Sequence, residues 1–257
     1  MGDKTKFLNH FFERISEIRY ATMGLTVLHP EEIAEDIIQI AINREDTRKI
    51  LTVLEFSPYL KRVRLEEKPF YNFIHLKLSN GQWIQIQLIY GFVRKGIQFM
   101  NEKEVLNDCT VNNGGIKVTS QHLNFEYVWL IHCLDKTNVP NHQQLFFSQY
   151  NRNERSAIFA HIRSRYFLEL NVLDELYTFH KKTNRQVYEK IIRRKENTWA
   201  KRNIRKTLYA LYSALNLIKT KSIKVQFKGS GYHPFSKTER ARVFQFFLFC
   251  STHWLMY

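Results

Sequence analysis

Apolar and polar residues alternate most regularly in two segments of the first half of the chain. Residues 73–78 and Trp83–Ile89 both place an apolar side chain at every second position. A period of two is typical of a strand with one buried face. The Ser79-Asn80-Gly81 segment between them contains Asn-Gly, a strong short signal for a hairpin turn. The pattern therefore predicts a β-hairpin over residues 73–89.

Upstream of the hairpin, the pattern predicts two further strands and a helix. Residues 20–24 form a short apolar segment that ends at Gly24, and residues 35–42 form an extended segment that contains Asp36. Over residues 43–55 the apolar positions change to helical spacing, with Ile50 and Leu54 on one side. These elements and the hairpin predict an α+β domain with a mixed sheet and flanking helices over residues 1–118.

The remainder of the chain is predicted to be mostly helical. Residues 96–108 indicate a turn and a short helix, and residues 111–118 indicate a hairpin or an edge strand that turns at Gly115. Ser120 is suited to cap a helix over residues 121–134. Two more helices are expected over residues 153–168 and 170–180. Their predicted core residues are Ile158, Ile162, Phe167, Leu168, Val172, Leu173, Leu176 and Phe179.

The positive charge of the chain is concentrated in its second half. The formal net charge is +15, and residues 151–240 hold 21 Lys and Arg against 7 Asp and Glu. Apolar residues recur at helical spacing in the densest part, which predicts two long helices with basic outer faces. The candidate polyanion-binding residues are Lys181, Lys182, Arg185, Arg193, Arg194, Lys195, Lys201, Arg202, Arg205 and Lys206. A basic face of this kind attracts nucleic acid or another polyanion, and an ordinary solvated surface is the alternative.

Other features narrow the class of protein. The chain has no run of about 18 apolar residues, so no transmembrane helix is predicted. The N-terminal segment lacks the apolar core of a signal peptide. Cys109, Cys133 and Cys250 are far apart and odd in number, which predicts thiols in a reducing compartment rather than a disulfide framework or zinc site. A cytoplasmic protein is expected.

The order of elements resembles the polymerase-β-type nucleotidyltransferase superfamily over about residues 18–90. The resemblance lies in a strand ending at Gly24, the strand with Asp36, a helix, and the hairpin strand with Gln87. It implies that Asp36 and Gln87 occupy positions of metal-binding carboxylates, and that Gly24 contacts a nucleotide. It also implies Mg²⁺ and a nucleoside triphosphate as cofactor and substrate if the site is active. The alternative is an unrelated α+β domain in which Asp36 begins a strand.

The sequence departs from that superfamily at its catalytic residues. The resemblance implies three carboxylates, of which Asp36 is present, whereas Ile38, or Gln39 in a slipped alignment, and Gln87 stand at the other positions. Two magnesium ions require several anionic oxygen ligands. We therefore expect a nucleotidyltransferase-like protein that is catalytically inactive or binds a nucleotide or phosphate weakly.

The C-terminal segment, residues 221–257, resembles the start of a phosphate-binding loop. A predicted strand over residues 222–227 precedes a glycine-containing segment, in which Ser236 replaces a glycine of the usual pattern. The residues expected to bind phosphate are Gly229, Gly231, Lys237 and Thr238. A nucleotidyltransferase-like domain, a helical region (here residues 119–220) and a thymidylate-kinase-like domain form a known bacterial arrangement. A truncated relic of such a kinase-like fusion is therefore another alternative.

Overall fold

Seven strands form one mixed sheet, and helices flank both of its faces. The computed structural model describes residues 2–24, 37–169, 173–178 and 180–222. The helices are α1 (Asp3–Arg14), α2 (Thr47–Glu55), α3 (Glu102–Asn107), α4 (Gln121–Asp135), α5 (Asn141–Ser148), α6 (Arg152–Tyr166), α7 (Lys181–Ile192) and α8 (Trp199–Ser222). The strands are β1 (Tyr20–Met23), β2 (Ile37–Ile42), β3 (Leu60–Glu67), β4 (Tyr71–Leu78), β5 (Trp83–Ile89), β6 (Val93–Arg94), β7 (Ile97–Gln98), β8 (Cys109–Val111) and β9 (Lys117–Thr119). The predicted α+β class is confirmed.

The sheet has the strand order β3-β4-β5-β2-β1-β9-β8, and β6 and β7 form a separate small hairpin. The pairs β2–β5 and β1–β9 are parallel, whereas the other pairs of the large sheet are antiparallel. The prediction that the strand over residues 35–42 neighbours the strand with Gln87 is confirmed for residues 37–42. Asp36 itself lies outside the described residues.

The predicted hairpin of β4 and β5 and its turn at Asn80-Gly81 are confirmed. Every second residue of β4 is buried. The backbone N–H of Leu78 donates to the carbonyl of Gln82 at 2.9 Å, and Gly81 has a φ of +94°. Because a side chain is strained at that φ, glycine suits this turn. The second predicted turn is also confirmed, since β8 and β9 pair around Gly115.

Two hydrophobic clusters cover the two faces of the sheet. On one face of the sheet, helices α1 and α2 pack against the buried strand residues Ile38, Ile40 and Ile86. We call this side of the sheet the α1/α2 face. The other cluster contains Ala41, Ile89 and residues of α3, α4, α6 and α7, and we call its side the α4 face. Because successive side chains of a strand point to opposite sides, residues 37, 39 and 41 belong to the α4 face.

Two local predictions from the sequence are wrong. Ser120 precedes α4, but its hydroxyl donates to the Asp108 carboxylate at 2.6 Å and does not cap the helix. Phe167 is predicted in the core, yet it ends α6 with a φ of +54° and its side chain is 70% exposed. A contact outside the helix holds the Ser120 hydroxyl, and the left-handed backbone at the end of α6 turns Phe167 outward; helical spacing predicts neither.

The helical second half follows the prediction in outline. Ile158, Ile162, Leu168 and Leu176 are buried as predicted. Within the helix predicted over residues 170–180, the described residues contain a 3₁₀ turn, Leu173–Leu176. The two long basic helices are confirmed as α7 and α8, with another 3₁₀ turn, Lys195–Asn197, between them. Of the strand predicted over residues 222–227, Ser222 is the last residue of α8, and the others lie outside the described residues.

The division into residues 1–118, 119–220 and 221–257 stays a prediction. In the described residues, one hydrophobic cluster joins Ala21 and Ile89 to Leu123 and Ile162.

Cys133 is buried, which raises the pKa of its thiol to about 11, and Cys109 is partly buried. No helix within the described ranges has the length and apolar character needed to cross a membrane.

Candidate functional site: an amide pair on the mixed sheet

Two glutamine side chains form a pair where the parallel strands β2 and β5 meet. Gln39 is directly opposite Gln87 in the register, and its Nε2 donates to Gln87 Oε1 at 2.8 Å. Both residues are partly buried on the α4 face. Ile38, in contrast, is fully buried on the α1/α2 face. Of the two alignments open from the sequence, the structure therefore places Gln39, and not Ile38, beside Gln87.

Gly24 ends β1 beside this amide pair. It has a φ of +67°, and a Cβ atom at this position would lie 3.0 Å from Gln39 Oε1. Both the backbone conformation and the close approach of the amide favour glycine. The Gly24 N–H donates to Asn124 Oδ1 of α4 at 2.7 Å. This donor, which is expected from the sequence to contact a nucleotide, is thus occupied by the protein's own side chain.

The phenol of Tyr127 lies on the α4 side of the amide pair. Tyr127 is buried, and its hydroxyl lies near the side chain of Gln39. Burial raises the pKa of Tyr127 well above its ordinary value, although nearby Arg94 and the contact with Gln39 act in the opposite direction. The phenol is therefore neutral at physiological pH, and it adds a further uncharged group to the site.

The charge of the site does not suit a pair of magnesium ions. Mg²⁺ prefers anionic oxygen ligands, whereas amide side chains are neutral. Within the described ranges, no group of three or more His, Cys, Asp or Glu side chains is arranged to hold a metal ion. The amide pair can donate and accept hydrogen bonds to a polar ligand, but it supplies no negative charge to a metal.

Glu66 is the carboxylate in the same cross-strand row as the amide pair. The row runs from Glu66 on β3 through Phe73 on β4 to Gln87 and Gln39. Partial burial alone would raise the pKa of Glu66, but ion pairs with Lys68 at 3.0 Å and His75 at 3.6 Å outweigh it and hold the pKa below the ordinary value. The charge of Glu66 is thus already balanced by neighbouring side chains.

Helix α8 borders this face through a contact between two tyrosines. Tyr71 of β4 and Tyr209 of α8 share a hydrogen bond of 2.9 Å between their hydroxyl groups. Lys68 Nζ lies 5.7 Å from the centre of the Tyr209 ring, within the range of a cation–π contact. Tyr209 therefore takes part in attaching α8 to the sheet.

Sequence patterns did not identify the residues that α4 contributes to this site. Helix α4 is buried along most of its length, and its pattern resembles that of an ordinary core helix. The available signal was Asn124, a polar residue in the middle of that apolar helix. Its bond to Gly24 explains why a polar side chain is kept there, since a buried polar group requires a partner.

Two of the predicted polyanion-binding arginines form hydrogen bonds within the protein. Arg194 donates from Nη1 to the carbonyl of Phe99 at 3.0 Å. Arg205 donates to Asn197 Oδ1 at 2.9 Å, to Gln98 Oε1 at 2.8 Å and to a backbone carbonyl of the 3₁₀ turn. Burial lowers the pKa of Arg205, which still remains charged. Both guanidinium groups are therefore committed to internal contacts.

Asn197 connects α7, α8 and the small hairpin of β6 and β7. Its side chain is 1% exposed. Its Oδ1 accepts from the backbone N–H of Gln98 at 2.8 Å, and its Nδ2 donates to the carbonyls of Gln98 at 2.8 Å and Ile191 at 2.9 Å. Because Oδ1 also accepts from Arg205, all the hydrogen-bonding groups of the amide are used.

The remaining cations of α7 and α8 are largely exposed, but acidic residues lie among them. Three cations and one carboxylate lie in one row along α7 at helical spacing: Lys182, Arg185, Glu189 and Arg193. Glu189 pairs with Arg185 at 2.9 Å and with Arg193 at 3.9 Å, while Lys182 is 3.6 Å from Glu169. The exposed cations are Lys181, Lys182, Arg185, Arg193, Lys195, Lys201 and Lys206, and Arg202 is partly buried. The set carries fewer free positive charges than the sequence alone indicates.

A buried charge network connects α3, α4 and α6. Glu126 of α4 is 0% exposed. Its carboxylate accepts from the Tyr166 hydroxyl, and it lies 3.0 Å from Arg165 Nε and 2.8 Å from His161 Nε2. Arg165 also donates two hydrogen bonds to Glu104, which hold the pKa of that carboxyl below its ordinary value despite partial burial. The network balances the buried charge of Glu126 and joins three helices.

The remaining predicted site residues, Asp36, Gly229, Gly231, Lys237 and Thr238, lie outside the described residues. Comparison with known proteins found no matching family model, no similar curated protein and no similar solved structure. The resemblance to nucleotidyltransferases therefore stays a prediction.

Proposed function

We propose that this chain is a nucleotidyltransferase-like protein that does not carry out metal-dependent transfer and that binds a nucleotide or phosphate ligand only weakly. The order of elements supports this proposal, because Gly24 directly follows β1, β2 and β5 are parallel neighbours, and α2 lies between them in the chain. A cytoplasmic location is a further part of the proposal.

The observation that carries the proposal is the hydrogen bond between Gln39 and Gln87. In the proposed alignment these two positions would present metal-binding carboxylates side by side on neighbouring strands. The Gln39 amide donates directly to the Gln87 amide at 2.8 Å. Two adjacent carboxylates would repel each other and require a cation between them. Two amides are neutral and form a hydrogen bond, so the pair needs no cation.

An assay of nucleotide turnover tests the proposal directly. With Mg²⁺ or Mn²⁺ and each common nucleoside triphosphate, we expect the wild-type chain to show no transfer above background. Turnover that disappears in the Asp36→Ala variant would contradict the proposal and would show that the ligands are other residues.

A variant with two new carboxylates tests the alignment itself. In Gln39→Asp/Gln87→Asp, the carboxylates face each other across β2 and β5, so we expect Mn²⁺ to bind and to raise the melting temperature. Gln85→Asp is the matched control, because Gln85 lies on the same face of β5 but opposite Ile37. Equal stabilisation of the control by Mn²⁺, or none of the double variant, would count against the alignment.

A second candidate function, binding of a polyanion by α7 and α8, is supported by their exposed cations. The structure changes the choice of variant, because neutralising Arg194 would remove an internal contact. We therefore choose Arg193→Gln/Lys195→Gln. If each cation binds a phosphate, the slope of log K against log salt for duplex DNA should decrease by about 0.9 for each cation that is neutralised.

The control for this experiment is Arg48→Gln/Lys103→Gln, which neutralises two exposed cations of α2 and α3. Fluorescence anisotropy at several salt concentrations measures both variants. The polyanion hypothesis predicts a smaller slope for the α7/α8 variant alone. An equal decrease in both variants would indicate attraction by the net charge of the whole chain.

A further inference from the structure

Part of the α4 face extends as an exposed surface of β3, β4 and β5. The rows Arg62-Lys77-Trp83 and Arg64-His75-Gln85-Ile37 run across the strands beyond the row that contains the amide pair. Within each strand these residues are two positions apart, so their side chains lie on the same face of the sheet. Trp83 is 47% and Ile37 48% exposed, and both arginines are also exposed. We call these two rows, together with Phe73, the open sheet face.

Aromatic side chains follow the strands across this face. Tyr71, Phe73 and His75 occupy alternate positions of β4, with ring centres 5.1 Å and 6.4 Å apart for successive pairs. Trp83 lies at the far end of β5, and the Nζ of its cross-strand neighbour Lys77 is 5.7 Å from the centre of the indole ring. An exposed tryptophan beside a cation offers a flat surface for another ring.

The charges of the open sheet face are predominantly positive. The face carries Arg62, Arg64 and Lys77, and the acidic side chain that the described ranges place in the adjacent row, Glu66, is already paired with Lys68 and near His75. Within the described ranges, Arg62 and Arg64 have no ion pair or side-chain hydrogen bond. These guanidinium groups are therefore available to an external anion.

We propose that the open sheet face binds single-stranded nucleic acid. Unpaired bases can stack on Trp83, while Arg62, Arg64 and Lys77 contact the phosphates around it. Stacking on exposed aromatic residues next to a positive surface is the usual way in which proteins bind single strands, whereas a duplex keeps its bases inside. The face is a different surface from α7 and α8, and the proposal does not depend on the loss of catalysis at the amide pair.

A pair of substitutions at Trp83 tests the stacking contact. Trp83→Phe keeps an aromatic ring and Trp83→Thr removes it, while both residues are favourable in a strand. With fluorescein-labelled 12-nucleotide single strands, one of RNA and one of DNA, we expect the threonine variant to bind about tenfold more weakly. The phenylalanine variant should remain within a few-fold of wild type. Comparison of the two probes identifies the preferred sugar.

Two further measurements separate this site from general charge attraction. Arg62→Gln/Arg64→Gln should lower the salt slope for a single strand by about 0.7 per phosphate contact. Trp199→Ala, which removes a more exposed tryptophan of α8, should leave single-strand affinity unchanged. Circular dichroism and melting temperature establish that each variant is folded.

Three results would overturn the proposal. The first is binding to a duplex of the same sequence that Trp83→Thr and Arg62→Gln/Arg64→Gln weaken as much as they weaken binding to the single strand. The second is an equal loss of affinity in the Phe and Thr variants of Trp83 while both remain folded. The third is unchanged affinity in both the threonine variant and the Arg62/Arg64 variant.

Discussion

Replacement of Arg165 with methionine is expected to lower the free energy of unfolding by about 3–5 kcal/mol. Arg165 is the arginine that faces the fully buried Glu126, with its Nε 3.0 Å from the carboxylate. Methionine keeps much of the side-chain volume but removes the charge. The carboxylate would then retain the Tyr166 hydroxyl and His161 as neighbours, without a permanent cation. Chemical denaturation measures the decrease in stability.

Two comparisons separate this effect from lost packing. Arg163→Met changes an exposed arginine of the same helix and should alter stability by less than about 0.5 kcal/mol. Adding Glu126→Gln to Arg165→Met removes the uncompensated charge, so the double variant should recover part of the stability. A double variant that is less stable than Arg165→Met would show that the destabilisation comes from packing or hydrogen bonding.

Replacement of Asn197 with alanine is expected to cost about 2–4 kcal/mol. The substitution leaves the partly buried N–H and carbonyl of Gln98 without their side-chain partner. The carbonyl of Ile191 loses the amide of Asn197 but keeps the backbone N–H of Arg194. It also removes one acceptor of Arg205. Unsatisfied buried groups keep their full desolvation cost, which is why the effect should exceed that of an ordinary hydrogen bond.

Asn203→Ala is the matched control, because Asn203 is partly exposed on α8 and alanine favours a helix. Its free energy of unfolding should stay within about 0.5 kcal/mol of wild type or rise slightly. Hydrogen exchange of the Gln98 amide gives an independent measurement, since that N–H should lose protection in Asn197→Ala. Retained protection at Gln98 would contradict the proposed role of Asn197.

Local patterns were sufficient to predict most elements of the sheet. The alternation in residues 73–89 and the Asn80-Gly81 turn depend on neighbours in sequence, and the structure confirms both. Predictions failed where the position of a side chain depends on a residue distant in sequence or on the backbone at the end of a helix. Ser120 binds Asp108 across the β8–β9 hairpin, and Phe167 turns outward at a residue with positive φ.

The candidate site could be predicted only in part for the same reason. Gln87 was identified through a resemblance, and Gln39 was one of two alternatives until the register of β2 and β5 was known. Tyr127 reaches the site from a helix far along the chain, and its spacing in α4 is that of a core residue. Likewise, charge counting cannot distinguish Arg205, which binds the protein's own carbonyls, from an arginine that faces solvent.

The position of β3 at one side of the sheet has a consequence for self-association. In the described residues β3 is an outermost strand, and its register shifts between Leu60 and Arg62. An outer strand offers unpaired backbone groups to another chain, and charged residues and bulges discourage such pairing. Arg62 and Arg64 would therefore also discourage strand addition at this edge. The same two side chains would limit pairing between copies of the chain and bind the phosphates of a single-stranded nucleic acid.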